Sequence, residues 1–330
     1  MKFRQFGKTD LQVSEIGFGA WGIGGPAMAG SRPIGWGKVD DAESLAALHA
    51  AAERGVNFID TADFYGLGHS ETLIGRAFGN RPDMLIATKV GHRLDRENRL
   101  VLDYSRAHII AACEASLRRL RRDTIDYYQL HSAKVPHLEN GECLEAMIRL
   151  QEQGKIRYWG VSLNTFNPFP EAEFLLQRGL GDGLQLVFNI INQRATGLLA
   201  RAAAQGYGII ARMPLQFGLL AGKFNRHTRF PADDHRHFRL NPALLAEAEQ
   251  ALAPVWQIQQ RLQLTPVAFS LSFVLSFPAI TTVIPGIKTV QQAIENTVEL
   301  ASLPAAEVAA LQQLYEESLS RLVKLMEAAE

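Results

Sequence analysis

Only two cysteines, Cys113 and Cys143, occur in 330 residues, and both fall in helix-like stretches. A secreted disulfide scaffold shows paired cysteines at close spacing, so that class is excluded and a reduced, cytoplasmic setting is expected. Net charge is also lacking. The 34 basic residues balance 34 acidic ones, which leaves no electrostatic case for nucleic acid or an anionic membrane. No apolar run approaches the roughly 18 residues of a membrane span, and charges stand at the N-terminus where a signal peptide needs its apolar region. A glycine-rich phosphate turn opening into a helix is missing too. Gly22, Gly24 and Ala27 fit that spacing loosely, but Pro26 and Gly30-Ser31-Arg32-Pro33 leave no helix for them to open, which argues against a doubly wound sheet.

What the chain does contain is alternation. Near-continuous apolar runs at 16–21, 57–61, 84–89, 125–131, 156–162, 184–189, 209–214 and 281–284 are each followed by helical material. Such runs suit parallel strands covered by helices, and eight of them predict an α/β (β/α)8 TIM barrel, one domain over 1–330. Residues 1–13 predict a hairpin closing one end, with Gly7-Lys8-Thr9-Asp10 as its turn. Asp40-Asp41-Ala42-Glu43 resembles a capping box, Ser70 is expected to begin a helix and Ser105 to cap another. A last strand is followed by a helix from Thr289 to about Leu300. The final helix, 305–330, sets Val308, Leu311, Leu314, Tyr315 and Leu322 near one face; packing on the barrel is the expectation and a subunit contact the alternative.

In such a barrel the reactive groups gather at the carboxyl ends of the strands. Asp60, Lys89 and His131 close three successive strands, and Tyr65 follows Asp60 in a loop punctuated by Gly66 and Gly68. Taken singly, each has a plain explanation: a loop cap, a surface charge, a buried histidine, a packed aromatic. Their joint placement favours a site. A phenol is a weak acid at neutral pH, but beside the Lys89 ammonium its ionised form is stabilised, so Tyr65 becomes a usable proton donor. Asp60 would hold that ammonium and His131 would orient a substrate oxygen. The set suits a carbonyl that gains a proton as it gains a hydride.

Several motifs then resemble one family. The stretch 55–62, with Tyr65-Gly66, Glu71 and Gly75, is similar to the signature of the aldo-keto reductases. So are the strand ends at Thr88-Lys89 and 126–131, the segments 154–157 and 160–162, Gly218 to Lys223, and Ile284-Pro285-Gly286 with Gln292, Glu295 and Asn296. The resemblance covers nearly the whole chain in order. It implies reduction of aldehydes or ketones, or oxidation of alcohols, with a nicotinamide cofactor across the barrel mouth and a small-molecule carbonyl substrate. It makes Tyr65 the proton donor, with Lys89 and Asp60 tuning it, and places Trp21, Tyr65 and His131 against the substrate. Ala20, Trp21 and Asp60 border the cofactor, while Ser162, Asn164 and Gln185 are candidates for the carboxamide, since Leu163 intervenes where many relatives have asparagine. Arg212, Met213, Pro214 and Leu215, with Gly218, Leu219 and Lys223, match a pyrophosphate belt. Arg212 stands where many relatives stack a tyrosine on the nicotinamide. Gly286, Ile287, Lys288, Gln292, Glu295 and Asn296 match the adenosine-phosphate site.

Lys288 also has a physical reading. It lies just before a helix start, where ammonium charge, free backbone N–H groups and the helix dipole favour a phosphate, hence NADPH over NADH. The insertion 224–240 holds His227, His235 and His237 with Asp233 and Asp234. No ligand spacing of a zinc site appears, so no metal is expected, and a polar surface loop acting as a flap over the cofactor is the reading. Two rivals stand beside the reductase: a Schiff-base aldolase using Lys89, and a non-catalytic NADPH-binding regulatory subunit resembling potassium-channel β subunits. Trp36 and Phe217 are candidate wall residues of the substrate pocket.

Overall fold

A computed structural model describes residues 1–232 and 234–329. Its centre is an all-parallel sheet whose eight strands pair in chain order: β1 (Phe18–Gly19), β2 (Phe58–Asp60), β3 (Leu85–Val90), β4 (Ile125–His131), β5 (Ile156–Ser162), β6 (Gly183–Val187), β7 (Gly208–Arg212) and β8 (Thr282–Ile284). Parallel bridges Ile16–Val283 and Gly19–Gly286 bring the last strand back to the first and close the barrel. That closure needs glycine at 19, because a Cβ there would lie 2.8 Å from the Pro285 carbonyl oxygen. The expected (β/α)8 fold is the one found.

Side chains two apart on a strand share a face, and this period sorts the barrel interior by height. Phe58, Leu85, Ala87, Tyr127, Ile210 and Ile284 belong to an inner apolar cluster with Phe6, Leu11 and Val13, separate from the larger core under the helices. Continuing the same faces towards the carboxyl ends, Phe58 leads to Asp60, Leu85 and Ala87 lead to Lys89, and Tyr127 leads through Gln129 to His131. The apolar end is plugged by the N-terminal hairpin, in which Phe3–Gln5 pairs antiparallel with Gln12–Ser14. Phe6, just past its first strand, packs edge-to-face on Tyr127 with ring centroids 4.9 Å apart. The polar end stays open.

Local details depart from the sequence reading. Two short hairpins, Met28–Ala29 with Arg32–Pro33 and His92–Leu94 with Leu100–Leu102, and the helix Val135–Asn140 lie where only loops were expected, being too short to show periodicity. Asp40 does cap its helix, accepting from the Glu43 N–H at 2.9 Å. The reciprocal half of the box is diverted: Glu43 Oε1 accepts from the Val290 N–H at 2.8 Å. The helix expected to begin at Ser70 begins one residue earlier, as His69–Phe78, and the buried Ser70 hydroxyl donates to the Ala20 carbonyl at 3.0 Å. The helix expected to reach Leu300 ends at Asn296. The C-terminal helix runs as Ala305–Leu314 and Ser320–Ala328 around a wider turn, and it packs on the barrel as expected, with Leu311 and Leu322 buried. Among the described residues no helix is long and apolar enough to cross a membrane.

Candidate active site

Lys89 lies at the open end of β3 with none of its side chain exposed. Its ammonium donates to three oxygens: Asp60 Oδ2 at 2.5 Å, the Thr61 carbonyl at 2.7 Å and the Tyr65 hydroxyl at 3.2 Å. Burial acts to discharge the lysine, but the Asp60 carboxylate and then Tyr65 outweigh it, and its pKa rises. The ammonium is therefore kept. Asp60 is fixed from its other side as well, Oδ1 accepting from Gln185 Nε2 at 2.7 Å and from Gln129 Nε2 at 3.0 Å. Gln185 Oε1 in turn accepts from the Ser162 hydroxyl at 3.1 Å. Gln129, in register with Lys89, went unassigned in the sequence, although a strand amide two residues before His131, and so on the same face, was a signal.

Tyr65 is delivered by a tight turn. Gly66 has φ +60 and Gly68 φ +96, and a Cβ on Gly66 would fall 1.9 Å from the Gly24 carbonyl oxygen. The backbones of the loop after β1 and the loop after β2 thus approach at Gly24 and Gly66, where neither position has room for a side chain. Beneath the turn, buried Glu71 accepts from Thr88 Oγ1 and from Arg119 Nε, each at 2.6 Å, tying the helix after Tyr65 to β3.

Around the phenol stand rings. His131 presents its edge to Tyr65 with centroids 6.1 Å apart, and Trp21 lies nearly parallel to Tyr65 at 6.0 Å. Burial, then His92 and Lys89, push the His131 pKa well below the usual value, so the imidazole is neutral. Its Nδ1 has no hydrogen-bond partner. Trp36 meets Trp21 edge-on at 5.5 Å, and Phe217 borders the same space.

These groups form the floor of a cleft of about 900 Å³ that runs from Tyr65 and His131 to Lys288 and Asn296. Its size falls in the range of cofactor and ligand sites, roughly 300–1,000 Å³. The expected cofactor positions border it, apart from Asn164 and Leu219. Asn164 turns its Oδ1 to the Phe166 and Asn167 N–H groups, which leaves Ser162 at the cleft, while Leu219 is buried in the core. One wall is strained: Met213, Gln216 and Phe217 all have positive φ, followed by Gly218 at +99. Such conformations cost about 1–2 kcal/mol each for a non-glycine residue and persist at ligand sites when neighbours enforce them. Asn189 does so here, donating to the Met213 carbonyl at 2.9 Å and to Gln216 Oε1 at 2.8 Å. Arg212 is anchored to the Leu163 carbonyl at 3.0 Å and Thr165 Oγ1 at 3.2 Å. At the far end, Asn296 Nδ2 donates to the Gly286 carbonyl at 3.2 Å, and Lys223 pairs with Glu295 at 3.2 Å. Open space lies where a Gly286 side chain would be. The length, the strained belt and the amide and hydroxyl groups at the floor fit an extended dinucleotide.

Two expectations need correction. The N-terminus of the helix Val290–Asn296 is not free for a phosphate, since the Val290 N–H is taken by Glu43 and the Lys288 N–H donates to Gln292 Oε1 at 2.8 Å. The Lys288 ammonium, partly exposed and 3.4 Å from the Lys38 carbonyl, offers charge there. The insertion 224–240 is also not wholly a surface loop. His227 and His237 are exposed, but Asp234 and His235 are buried, and Asp234 bridges Trp36 across the cleft mouth. Asp233 lies outside the described residues. Among the described residues no three metal-ligating side chains gather.

Known proteins place this architecture. The Aldo/keto reductase family profile matches residues 15–316. Uncharacterized oxidoreductase YqkF of Bacillus subtilis is 30% identical over 298 residues, covering 90% of each chain. Aldo-keto reductase YhdN of the same organism is 33% identical over 253 residues, 72% of this chain and 69% of the relative. The structure of a glycerol dehydrogenase from Gluconobacter oxydans superposes with a TM-score of 0.79 at 27% identity, covering 96% of both chains. The chain belongs to the aldo/keto reductase family and is an oxidoreductase.

Proposed function

We propose that the protein reduces an aldehyde or ketone to the alcohol, reversibly, using NADPH, with Tyr65 as the proton donor. The observation that carries this reading is the buried line of contacts from Tyr65 through Lys89 to Asp60, opening at the cleft floor. A nicotinamide cofactor supplies a hydride when bound. The protein must then protonate the carbonyl oxygen as it gains negative charge. The Tyr65 hydroxyl gives that proton, and the ammonium 3.2 Å away stabilises the phenolate left behind. Asp60 keeps the ammonium charged in a buried place. Neutral His131 has one N–H to donate, which orients the carbonyl over the phenol.

Ser162 and Gln185 would hold the carboxamide, the 212–218 belt the pyrophosphate, and Lys288 the 2′-phosphate of NADPH. The aldolase alternative needs Lys89 as a free amine, and three oxygen acceptors with a raised pKa argue against it. The decisive experiment is Tyr65→Phe. The variant should bind NADPH with an unchanged Kd and lose about 10²–10⁴ in kcat with a panel of aldehydes and ketones. Undiminished turnover would remove the mechanism. Tight NADPH binding by the parent with no turnover of any carbonyl would favour the non-catalytic subunit instead.

A further inference from the structure

The cleft wall holds polar atoms that the proposed chemistry does not use. Both ring nitrogens of His235, and Nε1 of Trp36, have no hydrogen-bond partner. His235 is 1% exposed and comes from the 224–240 insertion. Its ring lies on the Trp21 face at 4.5 Å and 31°, meets Trp36 edge-on at 4.3 Å, and touches Phe217 at 5.2 Å. All four residues border the cleft that Tyr65 and His131 floor. The insertion is clamped in this position by the Asp234–Trp36 bridge and by the Arg236 guanidinium lying 4.8 Å over the Trp36 ring.

An imidazole inserted among rings without a partner leaves the desolvation of each unmet polar group uncompensated. A phenylalanine would fill the same space at no such cost. Charge does not explain the choice, since burial first, and then Arg239, hold the His235 pKa down to about 3. The ring is neutral at working pH, with one nitrogen a donor and the other an acceptor. That pair of roles selects its complement. A carboxylate could meet only the donor and would set its charge against the acceptor nitrogen; an alkyl chain would meet neither. A hydroxyl both donates and accepts, and a second acceptor on the ligand would take the Trp36 N–H.

Resting on the carbonyl-reductase reading, we propose that His235 and Trp36 are specificity-determining residues that hydrogen-bond a hydroxyl carried by the substrate beyond its carbonyl. The substrate class is then a hydroxylated aldehyde or ketone with its carbonyl at Tyr65.

The test compares matched aldehydes of equal length, glyceraldehyde against propanal and erythrose against butanal, with the full chain and NADPH. The parent should favour the hydroxylated member of at least one pair in kcat/KM. His235→Phe, which keeps the aromatic packing, should lower that preference about tenfold, the worth of one hydrogen bond. The plain aldehyde should lose far less kcat/KM than its hydroxylated partner, so that the ratio within each pair carries the effect. His235→Asn, which restores a donor and an acceptor, should recover part of the preference, and Trp36→Phe should reduce it. Equal loss on both members of each pair would mark His235 as packing only and overturn the inference, as would an unchanged ratio in His235→Phe. A parent that reduces none of the four aldehydes nor any other carbonyl sinks the reductase reading itself, whereas turnover with an unaltered ratio sinks this inference alone.

Discussion

His92 lies flat against His131, ring centroids 4.1 Å apart and planes inclined by 20°. It reaches there from the hairpin after β3, and it borders the cleft beside the proposed substrate oxygen. Burial, then the Lys89 ammonium, push the His92 pKa down to about 4, so the stack is between neutral rings. In the unfolded chain a histidine takes its proton near 6.5. Between pH 6.5 and about 4 the unfolded state therefore binds a proton that folded His92 refuses, and stability falls as pH falls through that window. Above 6.5 the contribution is constant. His92→Phe keeps a ring on His131 and removes the titration. Urea unfolding at pH 4.5 and 7.5 should show a smaller acid loss in the variant than in the parent, and identical losses would refute the assignment.

The Lys89–Asp60 pair predicts an asymmetry in stability. Both side chains are almost wholly buried, so Lys89→Met leaves a carboxylate without its cation. Breaking such a pair costs about 3–5 kcal/mol. Replacing both partners, Asp60→Asn with Lys89→Met, leaves amide contacts to Gln129 and Gln185 and no net buried charge. The double variant should recover at least about half of the loss in chemical denaturation, while both proteins lack turnover. A double variant no more stable than Lys89→Met would show that the charge pair is not what the fold depends on here.

Glycine at 66 can be separated from glycine in general. Gly66 and Gly179 have nearly the same backbone, φ +60 and +62. At Gly179 nothing lies within 4 Å of an added Cβ, whereas at Gly66 the Gly24 carbonyl oxygen lies 1.9 Å away. Gly179→Ala should cost only the left-handed strain of about 1–2 kcal/mol, with turnover intact. Gly66→Ala should cost more and should also lower kcat, because the turn that carries Tyr65 must move. Equal thermal shifts and equal activities in the two variants would contradict the close approach.

The parts of this arrangement that were legible in the sequence are those governed by short periods. Strand parity carries Phe58 to Asp60 and Leu85 to Lys89 on one face, and helix-wrapped apolar runs specify a parallel barrel. Tyr65 with Gly66 was readable because the turn chemistry is local. What escaped depends on chain segments far apart. His235 enters the site where the Asp234 bridge and the Arg236 guanidinium tie the insertion to Trp36, and nothing near residue 235 announces that pairing. His92 sits on a hairpin too short for any pattern. Glu43 looked like half of a capping box, and its turn towards Val290 is decided by the closure of the last strand on the first.

That diverted carboxylate gives the sharpest test of cofactor choice. Lys288 supplies an ammonium beside the start of the helix Val290–Asn296, while Glu43 places an anion 2.8 Å from the Val290 N–H. A 2′-phosphate would be drawn to the first and repelled by the second; a free 2′-hydroxyl would be nearly indifferent to the lysine and could donate to the carboxylate. The two residues should therefore act with opposite sign on the ratio of Kd values for NADH and NADPH. Lys288→Ala should weaken NADPH by about tenfold, the scale of one charge-assisted contact, and leave NADH within about twofold. Glu43→Gln keeps an acceptor for the Val290 N–H, removes the negative charge, and should tighten NADPH relative to NADH. Titration of protein fluorescence with each cofactor reads both ratios. Equal effects of Lys288→Ala on the two cofactors would place the phosphate elsewhere, and a Glu43→Gln shift towards NADH would mean that the carboxylate does not face it.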